Sequence, residues 1–237
     1  MPDNSYIYNA MKSIDFDMNN IDNTAHYKNK NGIYVPRVTD IINYFGDKEA
    51  LINWSNSLGF KRLRYRDELD KASAIGSETH EAIESYLKTG VETTTYSIPF
   101  KGFLLWINRI RAGNRVEVLK IEEPLIGTYY GGTCDLLIKV NDKIFVVDYK
   151  TSNKVYAKHF IQLSAYRALL FELYGIVVDG VMILQLNKKF PEFREYPLDL
   201  SIPENYRFME YAFSTFLSMV YTYYNIINTE NIYNTLF

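Results

Sequence analysis

The stretch that most restricts how this chain can fold is GGTCDLLIKVNDKIFVVDYKTS, residues 131–152. Two runs rich in Val, Ile and Leu flank Asn141-Asp142, and both of those residues tolerate the positive φ of a two-residue hairpin turn. With that turn, Val140 faces Lys143 and Asp135 falls opposite Asp148. Side chains alternate with period two, so Lys150 shares the aspartates' face, opposite Thr133. Leu136, Ile138, Val140, Phe145, Val147 and Tyr149 form an almost unbroken apolar row on the other face, which is expected to be core. The first face is left with two facing carboxylates and a lysine.

Like charges directly across a hairpin destabilise it. The pair makes sense if a cation lies between them. Carboxylates are hard oxygen donors suited to Mg²⁺ or Mn²⁺, and Mg²⁺ typically takes only one or two from the protein, leaving water and substrate phosphate as its other ligands. Lys150 at the same point would orient or help deprotonate an attacking water, or stabilise charge developing on phosphate. The competing account is a surface hairpin with solvated acids and one salt bridge, since Asp and Lys are common on exposed faces.

The rest of the chain limits what such a hairpin can belong to. At 237 residues the chain can bury a sizeable core, and its formal net charge of −2 means that any polyanion must be held by a local patch. Cys134 is the only cysteine. That excludes disulfides within the chain and a four-cysteine zinc or iron–sulfur site, and it fits a reducing compartment. No apolar run approaches about 18 residues and no signal-peptide pattern opens the sequence, so a soluble, intracellular protein without a membrane span is expected.

Residues 1–32 are polar and asparagine-rich and read as an arm that is mobile or laid over the surface. Order is expected from Gly32-Ile33-Tyr34-Val35-Pro36, followed by a helix capped by Thr39. Asp47 would cap a second helix carrying Leu51, Ile52, Trp54 and Leu58, with Gly59 as its stop and Trp54 in the core, or in the alternative stacking on a base. Lys61-Arg62-Leu63-Arg64-Tyr65-Arg66 is the densest positive cluster, either a solvated helix start or a phosphate-tracking patch.

A helix over 67–88 carries Gly76 in its interior, a position that marks close packing or close approach of a ligand. His80 and Glu84 project from one side of it. A lone histidine on a partly apolar helix face is more often a hydrogen-bonded core residue than a ligand. A helix over 100–112 precedes strand-like sequence at Val116, Val118 and Ile121, running through Glu122-Glu123-Pro124 to Gly127. Beyond the hairpin come a helix over 154–174 closed by Gly175, with Gln162 and Tyr166 four apart, and strands near 177–186 and 192–198. Ser201-x-x-Glu204 is a capping box, with Pro203 in the first turn of an aromatic helix to about residue 227. This order predicts an α/β fold with a mixed sheet of about five strands flanked by helices on both faces. A helical portion over 33–115 would form a single compact domain with 116–237.

The ordered set Gly76-x-x-x-His80, Gly132-x-x-Asp135, Asp148-Tyr149-Lys150-Thr151 and Gln162-x-x-x-Tyr166 resembles the PD-(D/E)XK nuclease superfamily. Within it, the chain is most similar to the RecB-type branch of phage and mitochondrial genome-maintenance exonucleases. Tyr34-Val35-Pro36-Arg37-Val38-Thr39-Asp40-Ile41-Ile42 followed by Leu51-x-x-Trp54 also resembles the opening of such phage proteins. The likeness spans roughly residues 32–175. D-x-K alone occurs by chance in most proteins; the ordered set, with its aspartates 13 positions apart, is what carries it.

The resemblance implies a restriction-endonuclease-like core. His80, Asp135, Asp148 and the backbone carbonyl of Tyr149 would hold Mg²⁺ or Mn²⁺. Asp135, Asp148 and Lys150 would be the catalytic set, with Lys150 positioning the attacking water. Gln162 and Tyr166 would support the site and touch DNA backbone. In relatives a glutamate upstream also faces the site; Glu122 fits that place, with Glu123 as the alternative, and Glu84 is a further supporting candidate. Arg37, Arg62, Arg64 and Arg66 are candidate phosphate contacts, and exposed Tyr or Phe of the N-terminal helices would stack bases.

The implied activity is metal-dependent hydrolysis of DNA, as an exonuclease on single-stranded or end-opened DNA in phage-type replication, recombination or repair. The location would be the host cytoplasm if the source is viral. Two rivals stand beside it. A restriction-like or structure-specific endonuclease would cut closed circles, and a non-catalytic DNA-binding scaffold would bind DNA without a metal-dependent product.

Overall fold

The computed structural model describes Met18 and residues 27–46, 48–91 and 97–237. Strand β1 (Tyr27–Lys28) pairs antiparallel with β2 (Tyr34–Val35). Asn29 closes the turn between them. Its side-chain oxygen accepts the N–H groups of Asn31 and Ile33, and its amide donates to the Thr128 carbonyl. Order thus begins before Gly32, within the tail of the expected arm, because one asparagine satisfies a whole turn; the rest of that arm, apart from Met18, lies outside the described residues.

Helix α1 (Val38–Tyr44) starts two residues earlier than a Thr39 cap would allow. Arg37 occupies the cap position in extended conformation, without a side-chain cap bond. Helix α2 (Lys48–Phe60) begins just after Asp47, which lies outside the described residues, and runs through Gly59. It is stopped instead by Arg62, at φ 58°, where the Leu63 N–H reaches back to the Leu58 carbonyl. Trp54 is not in the core: it is 37% exposed and touches Tyr65 edge-on, because α2 packs mainly on helix α3 (Tyr65–Thr89) and not on the sheet. Helix α3 ends at Gly90 in the left-handed region, and α4 (Ile98–Gly113) follows.

Strands β3 (Val116–Ile126), β4 (Gly131–Val140), β5 (Lys143–Lys150), β6 (Gly180–Leu186) and β7 (Phe193–Asp199) form one sheet in chain order. Every pairing is antiparallel except β5 with β6. Helix α5 (Ala157–Tyr174) makes that parallel crossover and ends on Gly175. Helix α6 (Pro203–Leu236) closes the chain and extends beyond residue 227. Its expected capping box does not form. Both the N–H and the hydroxyl of Ser201 go to Asp199, and the cap position falls to Ile202.

The sheet is covered on both faces. Phe100, Phe103, Trp106 and Ile107 of α4 and Ile83 of α3 pack on Leu136, Ile138, Val147 and Tyr149, the apolar row of the hairpin. The opposite face was expected to be left to the acids, yet Leu137 and Val146 are also buried there, beneath α1, α5 and α6. The carboxylates therefore sit at the end of a two-sided core and not on a solvated sheet. This is an α/β fold with a five-stranded mixed sheet flanked by helices, consistent with a restriction-endonuclease-like core. Among the described residues no helix is long and apolar enough to cross a membrane.

Candidate metal centre

The hairpin turns at Asn141, φ 55°, and pairs Val140 with Lys143 and Leu136 with Val147, in the register the turn requires. One step further the ladder gives way. Asp135 Oδ2 accepts the Tyr149 N–H at 2.8 Å, so a side chain replaces a backbone carbonyl and the ribbon opens at its acidic end. Opposite Asp135 on β3 stands Glu122, at φ 45°. A non-glycine residue in that region stores about 1–3 kcal/mol of strain, held by the surrounding structure. The strain has a local consequence. Glu122 turns to His80, while Glu123 pairs with Lys120 and accepts the Tyr174 hydroxyl.

Three ligand-type atoms meet here. His80 Nδ1 lies 2.8 Å from Glu122 Oε1 and 3.8 Å from Asp135 Oδ1, and one atom from each residue falls within 4.8 Å of the others. The imidazole edge rests on the buried Tyr149 ring, which in turn packs on Phe103. Asp148 stands beside this group, engaged by Lys150: Nζ donates to Oδ1 at 2.9 Å and lies 2.7 Å from Oδ2. Asp148 Oδ2 is buried and has no aligned hydrogen bond. A second buried carboxylate next to a His–Glu–Asp cluster suits a hard divalent cation.

The electrostatics agree with that fit. Asp148 is only 1% exposed, and burial, with Asp135 adding to it, pushes its carboxyl up to about 6 despite Lys150. Burial likewise raises Asp135. For His80, burial works downward, but the Glu122 hydrogen bond and the surrounding carboxylates outweigh it and bring the imidazole to about 9. The imidazolium thus supplies the positive charge the acids need, and an entering cation competes with its proton. Burial also works against the Lys150 ammonium, yet Asp148 and Asp135 hold it above its ordinary value. Lys150 is thus held in its charged form by its acidic neighbours.

Helix α5 supports this charge. Gln162 Oε1 accepts from Lys150 Nζ at 3.2 Å, and Gln162 Nε2 donates to the Tyr166 hydroxyl at 2.9 Å. The Tyr166 ring lies so near β4 that a Cβ on Gly132 would fall 2.6 Å from its Cε1. The ring is buried and has nowhere to go. Gly132→Ala should therefore lower unfolding stability by about 1–3 kcal/mol in a urea titration. Gly59→Ala, at a helical glycine with open space around it, should gain up to about 1 kcal/mol.

Other expected residues stand apart. Glu84 pairs with Lys88, one turn beyond His80. Arg37 bonds Asp40 at 2.9 Å and bridges to Gly131, which keeps it near the opened ribbon. Arg62 and Arg64 precede α3 and Arg66 lies in its first turn, about 21 Å from His80 along the helix at 1.5 Å per residue; Arg64 faces Asp67 at 3.9 Å. A Cβ on Gly76 would meet only Thr151 Oγ1, at 3.9 Å, so no close packing explains that glycine. His159, outside the expected set, is buried close to Lys150. No spacing marks it.

Neither a family model nor a curated protein matches the sequence. Among solved structures, SSO0001 is similar at 16% identity and a TM-score of 0.36, over 88% of this chain and 84% of that one. An alkaline exonuclease from Laribacter hongkongensis is similar at 11% identity and a TM-score of 0.32, over 66% and 84%. A phage-related exonuclease from Haemophilus somnus is similar at 12% identity and a TM-score of 0.32, over 65% and 82%. Likenesses of this size concern the course of the chain; the chemistry has to be read from the side chains.

Proposed function

We propose that this chain is a divalent-metal-dependent DNA nuclease, acting as an exonuclease on single-stranded or end-opened DNA in phage-type replication, recombination or repair. The observation that carries the reading is the meeting of His80, Glu122 and Asp135 beside the Asp148–Lys150 pair, at the opened end of one hairpin. A cluster this acidic and this buried is poorly explained as a device for stability, since a carboxylate taken out of water destabilises the fold unless it is compensated.

In this reading His80, Glu122, Asp135 and Asp148, with the Tyr149 carbonyl, hold Mg²⁺ or Mn²⁺. Bound there, the ion would supply Lewis-acid chemistry, polarising a phosphoryl oxygen and acidifying a neighbouring water. The chain's own residues do the rest. Tyr149 N–H fixes the Asp135 carboxylate, leaving its other oxygen toward the cluster. Lys150, kept protonated by its acidic neighbours, offsets charge that builds on the phosphate and orients the attacking water. Gln162 and Tyr166 keep that ammonium in place. Arg37, Arg62, Arg64 and Arg66 are proposed to follow the phosphate backbone.

The test is digestion of linear single-stranded, linear duplex and closed circular DNA with Mg²⁺, Mn²⁺ or a chelator. Shortening of linear strands with either ion, intact circles and silence in the chelator are expected. Cut circles would transfer the site to an endonuclease. DNA binding with no metal-dependent product in any arm would leave only a scaffold.

A further inference from the structure

Beside Lys150 lies a cavity of about 160 Å³ lined by Thr39, Ile42 and Asn43 of α1 and by Lys158, His159 and Gln162 of α5. Among the described residues no acidic side chain lines it. We propose that this cavity is a phosphate subsite, separate from the metal cluster, that anchors a second phosphate of the substrate strand; the identity of that strand rests on the nuclease reading above.

Its central group is His159. The residue is only 8% exposed, and its Nδ1 accepts the Tyr156 N–H at 3.3 Å. That bond fixes the tautomer: in the neutral ring the proton sits on Nε2. Nε2–H then has no hydrogen-bond partner among the described residues, and the ring lines a cavity open to an acceptor. Burial, Lys150 and Lys158 hold the imidazole down near 4, so it stays a neutral donor and brings no charge of its own.

The surroundings supply what an anion needs. Lys158 is exposed at the mouth, and the ring of Tyr156 is its aromatic neighbour. Thr39 and Asn43 stand one turn apart on α1, offering a hydroxyl and an amide. The first turn of the 18-residue α5 contributes the positive end of a helix. Lys150 borders both this cavity and Asp148, so a phosphate held here would lie next to the reacting one. The phosphate is either a strand-terminal monoester or the neighbouring phosphodiester.

Binding and cleavage are read separately. With histidine ¹⁵N-labelled in the full chain and chelator present, inorganic phosphate should shift the Nε2 resonance of His159, assigned by its disappearance in His159→Gln. Lys158→Ala should weaken that titration about tenfold. In Mg²⁺, Lys158→Ala should raise KM about tenfold with kcat changed less than about twofold. The rise will be confined to phosphorylated ends if the monoester is the ligand, and will occur equally with hydroxyl ends if it is the phosphodiester. A wild-type protein that cleaves DNA while phosphate leaves His159 unmoved and Lys158→Ala keeps its KM on every end would overturn the subsite and spare the nuclease. Phosphate binding at His159 in a protein that cleaves no DNA would do the reverse.

Discussion

Lys150→Met should slow phosphodiester cleavage by about a thousandfold while leaving the rise in melting temperature that a divalent ion confers. The methionine fills the same space but withdraws a charge that bonds Asp148 and Gln162 at once. Since the ammonium is kept protonated, what disappears is stabilisation of developing charge and not a base. Stability should change as well. Asp148 is buried, and stripping one partner from a buried pair costs about 3–5 kcal/mol.

The pH window follows from the sign of the Asp148 shift. Its folded carboxyl, near 6, lies above its ordinary value of 3.8. The protonated form is therefore the comfortable one. The penalty is absent below about pH 4, builds as pH rises and is complete above about 6; without Lys150 the folded carboxyl lies higher still, so the penalty goes on growing to higher pH. In chelator, Lys150→Met should match the wild type near pH 4 and fall behind at pH 8. Adding Asp148→Asn should restore most of that deficit and no activity. A single variant that cleaves within tenfold of wild type would remove Lys150 from the chemistry.

The hairpin was legible because everything that fixes it is local: a two-residue turn, a period of two and an apolar row. Its end was not. Asp135 takes the Tyr149 N–H, and no pattern of residue types announces that a side chain will stand in for a carbonyl. The choice between Glu122 and Glu123 left a trace that could have been read. Val116, Val118 and Ile121 break strict alternation, and the structure puts an irregularity between Val118 and Lys120. One inserted residue moves every later side chain to the other face, and the positive φ at Glu122 does the rest.

Caps were misplaced at Thr39 and Ser201 for a related reason. Both have the right side chain, but Arg37 already begins α1 and Asp199 already holds Ser201. Trp54 read as core because its helix has core spacing, whereas burial depends on what that helix meets. The Gln162–Tyr166 pair came through intact, since two residues one helical turn apart must meet. His159 carried no such companion, and only the packing of α1 against α5 shows where it stands.

Asp135 should separate metal holding from folding through two substitutions with opposite effects on stability. Its carboxylate is buried and raised by that burial, yet one oxygen satisfies a backbone N–H. Asp135→Asn keeps an acceptor for Tyr149 and removes a charge, so in chelator it should unfold at the same urea concentration as wild type or a higher one. Asp135→Ala leaves that N–H orphaned and should lose about 1–3 kcal/mol. Both should abolish cleavage, by at least about a thousandfold, because the oxygen facing His80 is gone as a ligand or no longer charged. Manganese draws the line between them and the wild type. At a hundredfold excess over its dissociation constant, an ion that binds only the folded form adds about 2.7 kcal/mol, and neither variant should show that gain. If Asp135→Asn is stabilised by manganese as much as the wild type is, the cation is not held at this carboxylate, and His80 and Glu122 form an ion pair that belongs to the fold alone.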